Sequence, residues 1–209
     1  MNVDKLELIF TSATPDDIQA FITVFNLHES EYGLTTPFQQ NAFLAQVLAE
    51  VGSELKSVRE NLNYSCDSLM KTFGYYRRNP DLARKHGRCG GHKANQVDIG
   101  NHAYADRIGN SGINSGDGYR FRGGGFFQLT GRANYEQIGQ SLPIQHTAEE
   151  LEEDITTVEY GLVSAMAFWF LNGCHECTHI DQITRIINRH TDSYDKRRIA
   201  YQGIAEIIA

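Results

Sequence analysis

Glu50 and Glu60 stand ten positions apart in a chain of 209 residues. Hydrolysis of a glycosidic bond needs such a pair. One carboxylic acid protonates the leaving oxygen, and one carboxylate activates water or attacks carbon. Glu50 ends a helix expected over residues 38 to 50. It lies on the flank of the Leu44, Leu48 and Val51 stripe, where a side chain can face a cleft. Glu60 falls in SVRENLNYS, whose Asn, Tyr and Ser read as a loop that orders polar groups. A short turn would let the two acids face each other across a groove. The chain carries 26 acids, and two solvated surface glutamates would fit the same spacing.

The stretch GDGYRFRGGGFFQLTGRANY, residues 116 to 135, is the second chemical feature. Gly123, Gly124 and Gly125 allow another chain or a ligand to approach the backbone closely. Gln128, Thr130 and Asn134 then offer amides and a hydroxyl. Gln128 and Thr130 share a face in an extended segment, and Thr130 and Asn134 share one in a helix. Neutral polar groups of this kind suit a sugar with acetamido and hydroxyl groups better than a phosphate. A Gly-rich turn whose polar residues cap the next helix accounts for the same spacing. A P-loop is excluded, because no Gly-Lys-Ser/Thr follows.

The four cysteines are Cys66, Cys89, Cys174 and Cys177. Cys89 with His92, and Cys174 with Cys177, are two half-sites that together would make a Cys₃His zinc centre. Unrelated thiols, or one disulfide in an oxidising compartment, are the alternatives. Reduced thiols are the default where no export signal is read. His28, His146 and His190 are isolated and read as surface or satisfied core.

These groups must be held by a frame. Apolar residues make up 41% and charged residues 22%, as in an ordinary globular protein. Thr14-Pro15-Asp16-Asp17 and Thr36-Pro37 are helix starts, each with a Thr cap and Pro at the first helical position. Short helices are expected over 66 to 73, 94 to 107 and 135 to 139. Residues 111 to 127 read as irregular, with room for a short hairpin. TTVEYGLVSAMAFWFLNG carries a Leu162, Ala165, Met166, Trp169 stripe and reads as a central buried helix. Ile180, Ile183 and Ile187 mark the next helix, and YDKRRIAYQGIAEIIA the last. The expected fold is therefore mainly α, with a polar Gly-rich middle set against an apolar frame.

A net charge of −7 argues against nucleic acid as a partner and gives no pull toward an anionic membrane. No segment has the length of a membrane span, and the N-terminus shows no basic region followed by an apolar run. Nothing in the chain demands more than a monomer.

The blocks FLAQVLAEVGSE, ENLNYS, ANQVDIGNHAYADRIGN, GDGYRFRGGGFFQLTGRANY, AMAFWF and ITRIIN occur in an order that resembles glycoside hydrolase family 19. The resemblance covers roughly residues 38 to 190. It implies a lysozyme-like, mainly helical fold with two lobes flanking a substrate groove. The whole chain, 1 to 209, would then be a single catalytic domain without a separate wall-binding module. The implied reaction is inverting hydrolysis of a β-1,4 bond between N-acetylated sugars, with no metal and no cofactor. Glu50 matches the general acid, Glu60 the general base, and Thr130 the hydroxyl that helps hold the attacking water. Gln128, Asn134 and Asn188 match groups that bind substrate. Such an enzyme would hold its two carboxyl groups about 6.5–9.5 Å apart. A partly apolar setting would keep Glu50 protonated.

The chain departs from the family pattern at several positions. Ala49 and Val51 replace the His and Ser that flank the acid. Gly124 replaces an Arg, and Arg189 and His190 replace two glycines after Asn188. Glu54, one turn beyond Glu50, would take the acid's role if the register slipped. The expected substrate is the glycan strand of peptidoglycan, cut by an endolysin of the phage type. It would be made in the cytoplasm and would reach the wall once the membrane is permeabilised. A chitinase, a non-catalytic wall-binding protein and a delivered antibacterial effector are the alternatives.

Overall fold

The structure, a computed structural model, describes residues 1–208. It is mainly α and lysozyme-like. The chain opens with α1 (Val3–Ile9), α2 (Pro15–His28) and α3 (Pro37–Val51). A loop then leads to four short helices: α4 (Cys66–Thr72), α5 (Gly74–Arg78), α6 (Pro80–His86) and α7 (Gln96–Tyr104). The Gly-rich middle holds a 3-10 turn (Ile113–Ser115) and one turn of α-helix, α8 (Asp117–Arg120), before α9 (Arg132–Gln140) and α10 (Ala148–Asp154). The chain closes with α11 (Val158–Leu171), α12 (Ile180–Ile187) and α13 (Tyr194–Ile208).

Local chemistry sets the starts. Thr14 Oγ1 accepts from Asp17 N, and Thr36 forms a reciprocal capping box with Gln39. Both helices begin at the Pro that follows the cap, where a missing N–H costs nothing. Thr147 and Glu150 make a second such box at α10, a helix not expected from the sequence. The short helices α1, α5, α6 and α8 were likewise not anticipated.

Two hydrophobic clusters organise the molecule. The larger surrounds α11, where Leu162, Met166 and Trp169 are fully buried, and takes in α2, α3, α9 and α13. The edge of Trp169 packs against Phe43 of α3, with ring centroids 5.6 Å apart. The smaller cluster joins Leu62, Leu69, Phe73, Tyr76, Ala83, Ile99 and Ala103. The loop after α3 crosses from one cluster to the other and carries Glu60.

The cysteines are divided between these clusters. Cys66 and Cys89 form a disulfide with Cα atoms 6.1 Å apart, which ties α4 to the turn after α6. Cys174 and Cys177 remain thiols, and Cys174 is buried. The default of four reduced thiols is thus corrected, because one pair meets in space. The Cys₃His alternative is not assembled either, since Cys89 is spent on Cys66. Among the described residues no group of three or more His, Cys, Asp or Glu is arranged to hold a metal.

Candidate active site

Glu60 is suspended between the two clusters. Its backbone N–H donates to Gly123 O at 2.7 Å, and Arg122 Nε donates to Glu60 O at 3.2 Å. Arg59 and Gly124 form an antiparallel bridge beside this contact, and Gly124 pairs in turn with Leu129. The glycine run is therefore the rail on which the acid loop hangs. On the far side, Leu62 N donates to Gln96 Oε1 at 2.9 Å and fixes the ENLNYS loop to the start of α7.

The Glu60 carboxylate is held by Tyr104, the last residue of α7. The phenol donates at 2.9 Å to each carboxylate oxygen, a shared contact that sets the plane of the group. Gly123 N–H lies 3.4 Å from Oε2. Burial and the neighbouring carboxylate push the Tyr104 phenol well above its ordinary range, so it stays a proton donor. Tyr64 is raised for the same two reasons, burial first and the Glu60 charge second.

Three of the expected site residues converge on Gly123. A Cβ there would sit 2.8 Å from Gln128 Oε1, 3.4 Å from Glu60 Cβ and 3.5 Å from Thr130 Oγ1. A side chain there would displace the Gln128 amide from that meeting. Gln128 has φ of +49°, a left-handed backbone that costs a non-glycine residue about 1–3 kcal/mol. Its amide donates to Gly125 O at 3.3 Å, which helps hold the conformation. Thr130 Oγ1 donates to Gln128 O at 3.0 Å, and Asn134 Nδ2 donates to Thr130 O at 2.8 Å. Asn134 thus braces Thr130 from one turn into α9.

Glu50 belongs to a second network, in the larger cluster. Arg197 of α13 donates from Nη2 to Glu50 Oε1 at 2.5 Å and from Nη1 to Gln46 Oε1 at 2.5 Å. Its Nε donates to Ser193 Oγ at 3.0 Å. Gln46 Nε2 donates to Thr184 Oγ1 of α12 at 2.9 Å. The Arg197 side chain is 2% exposed and that of Glu50 14%. The setting of Glu50 is therefore not the simple apolar one expected from Val47, Ala49 and Val51, because a buried guanidinium is its direct partner. Glu54 lies beyond the helix end, exposed and paired with Lys56 at 2.9 Å, outside both networks.

Asn188 caps the end of α12 through its backbone N–H, which donates to Thr184 O at 2.8 Å. Its side chain makes no hydrogen bond among the described residues, to Glu60, Gln128 and Thr130 or to any other. The substitution of Gly124 for Arg has a steric basis. A Cβ at Gly124 would lie 2.6 Å from Tyr135 Oη and 3.1 Å from Ile155 Cγ2. Tyr135 is fully buried and donates to Arg122 O at 3.2 Å, so it cannot move aside.

Sequence reasoning missed Tyr104, Gln46 and Arg197. A signal for Arg197 was present. It falls on the α13 face of Ala200, Tyr201 and Ile204, so a lone Arg interrupts an apolar stripe. Tyr104 carried no local signal. Asp117 and Arg132 brace the loop around the site from behind. Arg132 donates to both Asp117 oxygens, at 3.1 and 2.8 Å, and the guanidinium holds the Asp117 carboxyl down to about 2. An apolar cavity of about 380 Å³, beside Leu27, Ile144 and Tyr160, is lined by none of these residues.

A mainly helical, lysozyme-like frame with two separately braced glutamates is the class of molecule this geometry defines. No family model matches the chain. It is 29% identical over 202 residues to a protein of Haemophilus influenzae named as a glycosyl hydrolase family 19 domain-containing protein. The match spans 95% of this chain and 94% of that protein. This end-to-end likeness supports the resemblance to glycoside hydrolase family 19 read from the sequence.

Proposed function

We propose that the protein is a glycoside hydrolase that cuts β-1,4 bonds in the glycan strands of peptidoglycan by an inverting, two-glutamate mechanism. The observation that carries this reading is the convergence at Gly123. One carboxylate, oriented by Tyr104, meets an amide and a hydroxyl around a glycine whose missing side chain leaves the space between them open. That is a place for an attacking water and an N-acetylated sugar. Glu60, its plane fixed by Tyr104, accepts the proton of the water as the base. Thr130 and Gln128 position the water and the sugar amide. Glu50 serves as acid through Oε2, the oxygen that Arg197 leaves free. Asn134 acts by fixing Thr130.

The biological role that fits is lysis or wall remodelling of the endolysin type, with the chain acting alone on the wall. No helix is long and apolar enough to cross a membrane among the described residues. The Cys66–Cys89 disulfide supports action in an oxidising compartment, where such bonds persist. A chitinase is the second reading, because chitin presents the same N-acetylated sugar to the same amide and hydroxyl.

Mass spectrometry of soluble products from purified peptidoglycan, with chitin oligomers in parallel, separates the two. Disaccharide-peptides with a reducing N-acetylmuramic acid end are expected. Cleavage of chitin alone would make the protein a chitinase. Glu50→Gln and Glu60→Gln should each lower kcat at least about a hundredfold, the scale of acid–base assistance. Near-native turnover by either variant removes that residue from the mechanism.

A further inference from the structure

A cationic cavity adjoins the Glu60 network. It measures about 330 Å³, and its wall includes Arg78, Arg107 and His102 together with Phe73 and Tyr75. No Asp or Glu lines it, in a chain with 26 acids and a net charge of −7. Neither Arg78 nor Arg107 makes a side-chain hydrogen bond or ion pair among the described residues. Arg78 folds back over its own helix, so that a Cβ on Gly74 would lie 3.5 Å from Nη1. His102 Nδ1 lies 2.8 Å from Asp98 O, and because a carbonyl only accepts, Nδ1 carries the proton.

The cavity sits one ring away from the candidate base. Ala103 and Ala105, both on its wall, flank Tyr104 in the chain, and Tyr104 packs edge-on against Phe73 with centroids 5.9 Å apart. The positive charge of Arg107 is felt at the Tyr104 phenol, where it opposes the rise caused by burial and Glu60. Two unpaired guanidinium forks on an aromatic wall suit a carboxylate, which accepts paired N–H donors. Chitin carries no such group. In peptidoglycan the lactyl carboxyl of muramic acid is joined by an amide to a peptide stem, and that stem carries carboxylates of its own.

We propose that the Arg78–Arg107 cavity is a subsite for a carboxylate of the peptide stem, so that the protein selects peptide-bearing glycan strands over bare ones. This rests on the peptidoglycan reading above. The stem enters on the Tyr104 side of Glu60, and its charge is met by the two arginines while its backbone lies against Tyr75 and Phe73.

The test has two arms. Binding of soluble N-acetylmuramyl-L-alanyl-D-glutamate is measured by calorimetry at low salt for the native protein and for Arg78→Ala/Arg107→Ala. Initial rates are measured on peptide-bearing strands, on the same strands stripped of peptide by an amidase, and on chitin oligomers. The double variant should bind the fragment at least about tenfold more weakly, and its KM on peptide-bearing strands should rise about tenfold with kcat kept. Its rates on chitin oligomers, and on stripped strands, where amide hydrolysis leaves a lactyl carboxylate on the sugar but no stem carboxylate, should not change. Arg78→Lys/Arg107→Lys, which keeps charge but loses the forks, should fall between. Fragment binding absent in the native protein or unaltered in the double variant would overturn the subsite. So would an equal loss of rate on stripped and peptide-bearing strands. If the native protein cuts no glycan, the hydrolase reading fails, while the fragment titration still decides the cavity.

Discussion

Glu50→Ala should destabilise the protein far more than Glu50→Gln, for reasons that do not involve catalysis. Arg197 is 2% exposed, and Glu50 is the only acid it pairs with among the described residues. Removing one partner of a buried pair leaves an uncompensated charge and costs about 3–5 kcal/mol. The 14% exposure of Glu50 admits some solvent, which places Glu50→Ala near the low end, about 3 kcal/mol. Glu50→Gln keeps an oxygen to accept from Nη2 and loses only the charge, a cost of about 1–2 kcal/mol. Arg197→Met removes the guanidinium and leaves the partly exposed carboxylate free to hydrate. The double variant Glu50→Ala/Arg197→Met then buries no lone charge, and it should be more stable than Glu50→Ala by at least about 1 kcal/mol. Urea unfolding at pH 7, followed by far-ultraviolet circular dichroism with the slope unchanged, gives all four values. If Glu50→Ala falls within about 0.5 kcal/mol of the native protein, as an ordinary surface substitution does, the pair is not desolvated. A double variant weaker than Glu50→Ala would refute the compensation outright.

Under the proposed mechanism, Tyr104→Phe, which removes the one O–H that spans both Glu60 oxygens, should lower kcat on peptidoglycan about tenfold to a hundredfold with KM little changed, since one charge-assisted bond is worth about 1.5–3 kcal/mol. A change confined to KM would show that Tyr104 binds sugar instead of orienting the base. Gly124→Ala should cost about 1–3 kcal/mol through overpacking against the Tyr135 hydroxyl, and Tyr135→Phe in the same chain should recover part of it. Additive losses in thermal or urea unfolding would locate the clash elsewhere. Asp117, with its folded value lowered from 3.8 to about 2, contributes roughly 2 kcal/mol at neutral pH. A lowered folded value means that this stability is complete above the unfolded value near 4 and is lost as pH falls through 2. The gap between the native protein and Asp117→Asn should therefore close over that window, and a gap that stays constant to pH 2 would refute the pairing.

The frame was more legible than the site. Thr14-Pro15 and Thr36-Pro37 announce α2 and α3 because cap and first turn are chemistry within four residues. The α11 stripe announces a buried helix for the same local reason. Helix α10 carries an equally local signal in Thr147 and Glu150, but its acids outnumber its apolar residues and masked it. Glu50, Glu60, Gln128, Thr130 and Asn134 could be singled out by type and by resemblance. What holds them could not. Tyr104 reaches Glu60 across 44 residues, and Arg197 reaches Glu50 across 147. The meeting of Cys66 with Cys89 is of the same kind, since spacing alone left every pairing of the four cysteines open.

That distance has a physical consequence. Glu50 sits in the last turn of a helix whose start is doubly capped, and its partner is fixed in the larger hydrophobic cluster. Glu60 sits on a loop, and its orientation comes from a phenol packed in the smaller cluster and a glycine rail between the two. Each carboxylate is therefore registered to a different core. Their separation is set by how the loop from Val51 to Glu60 bridges the clusters, and not by any bond between them. The proposed inverting mechanism needs room for a water between the two acids, and a direct link would close it. Registration to two cores also makes the separation of the pair sensitive to the loop. Ser57, midway along it, is buried and donates to Ile155 O at 2.6 Å, which pins the bridge to the end of α10. Loss of that single hydroxyl in Ser57→Ala would act on the spacing of the pair while leaving both glutamates and both of their partners in place.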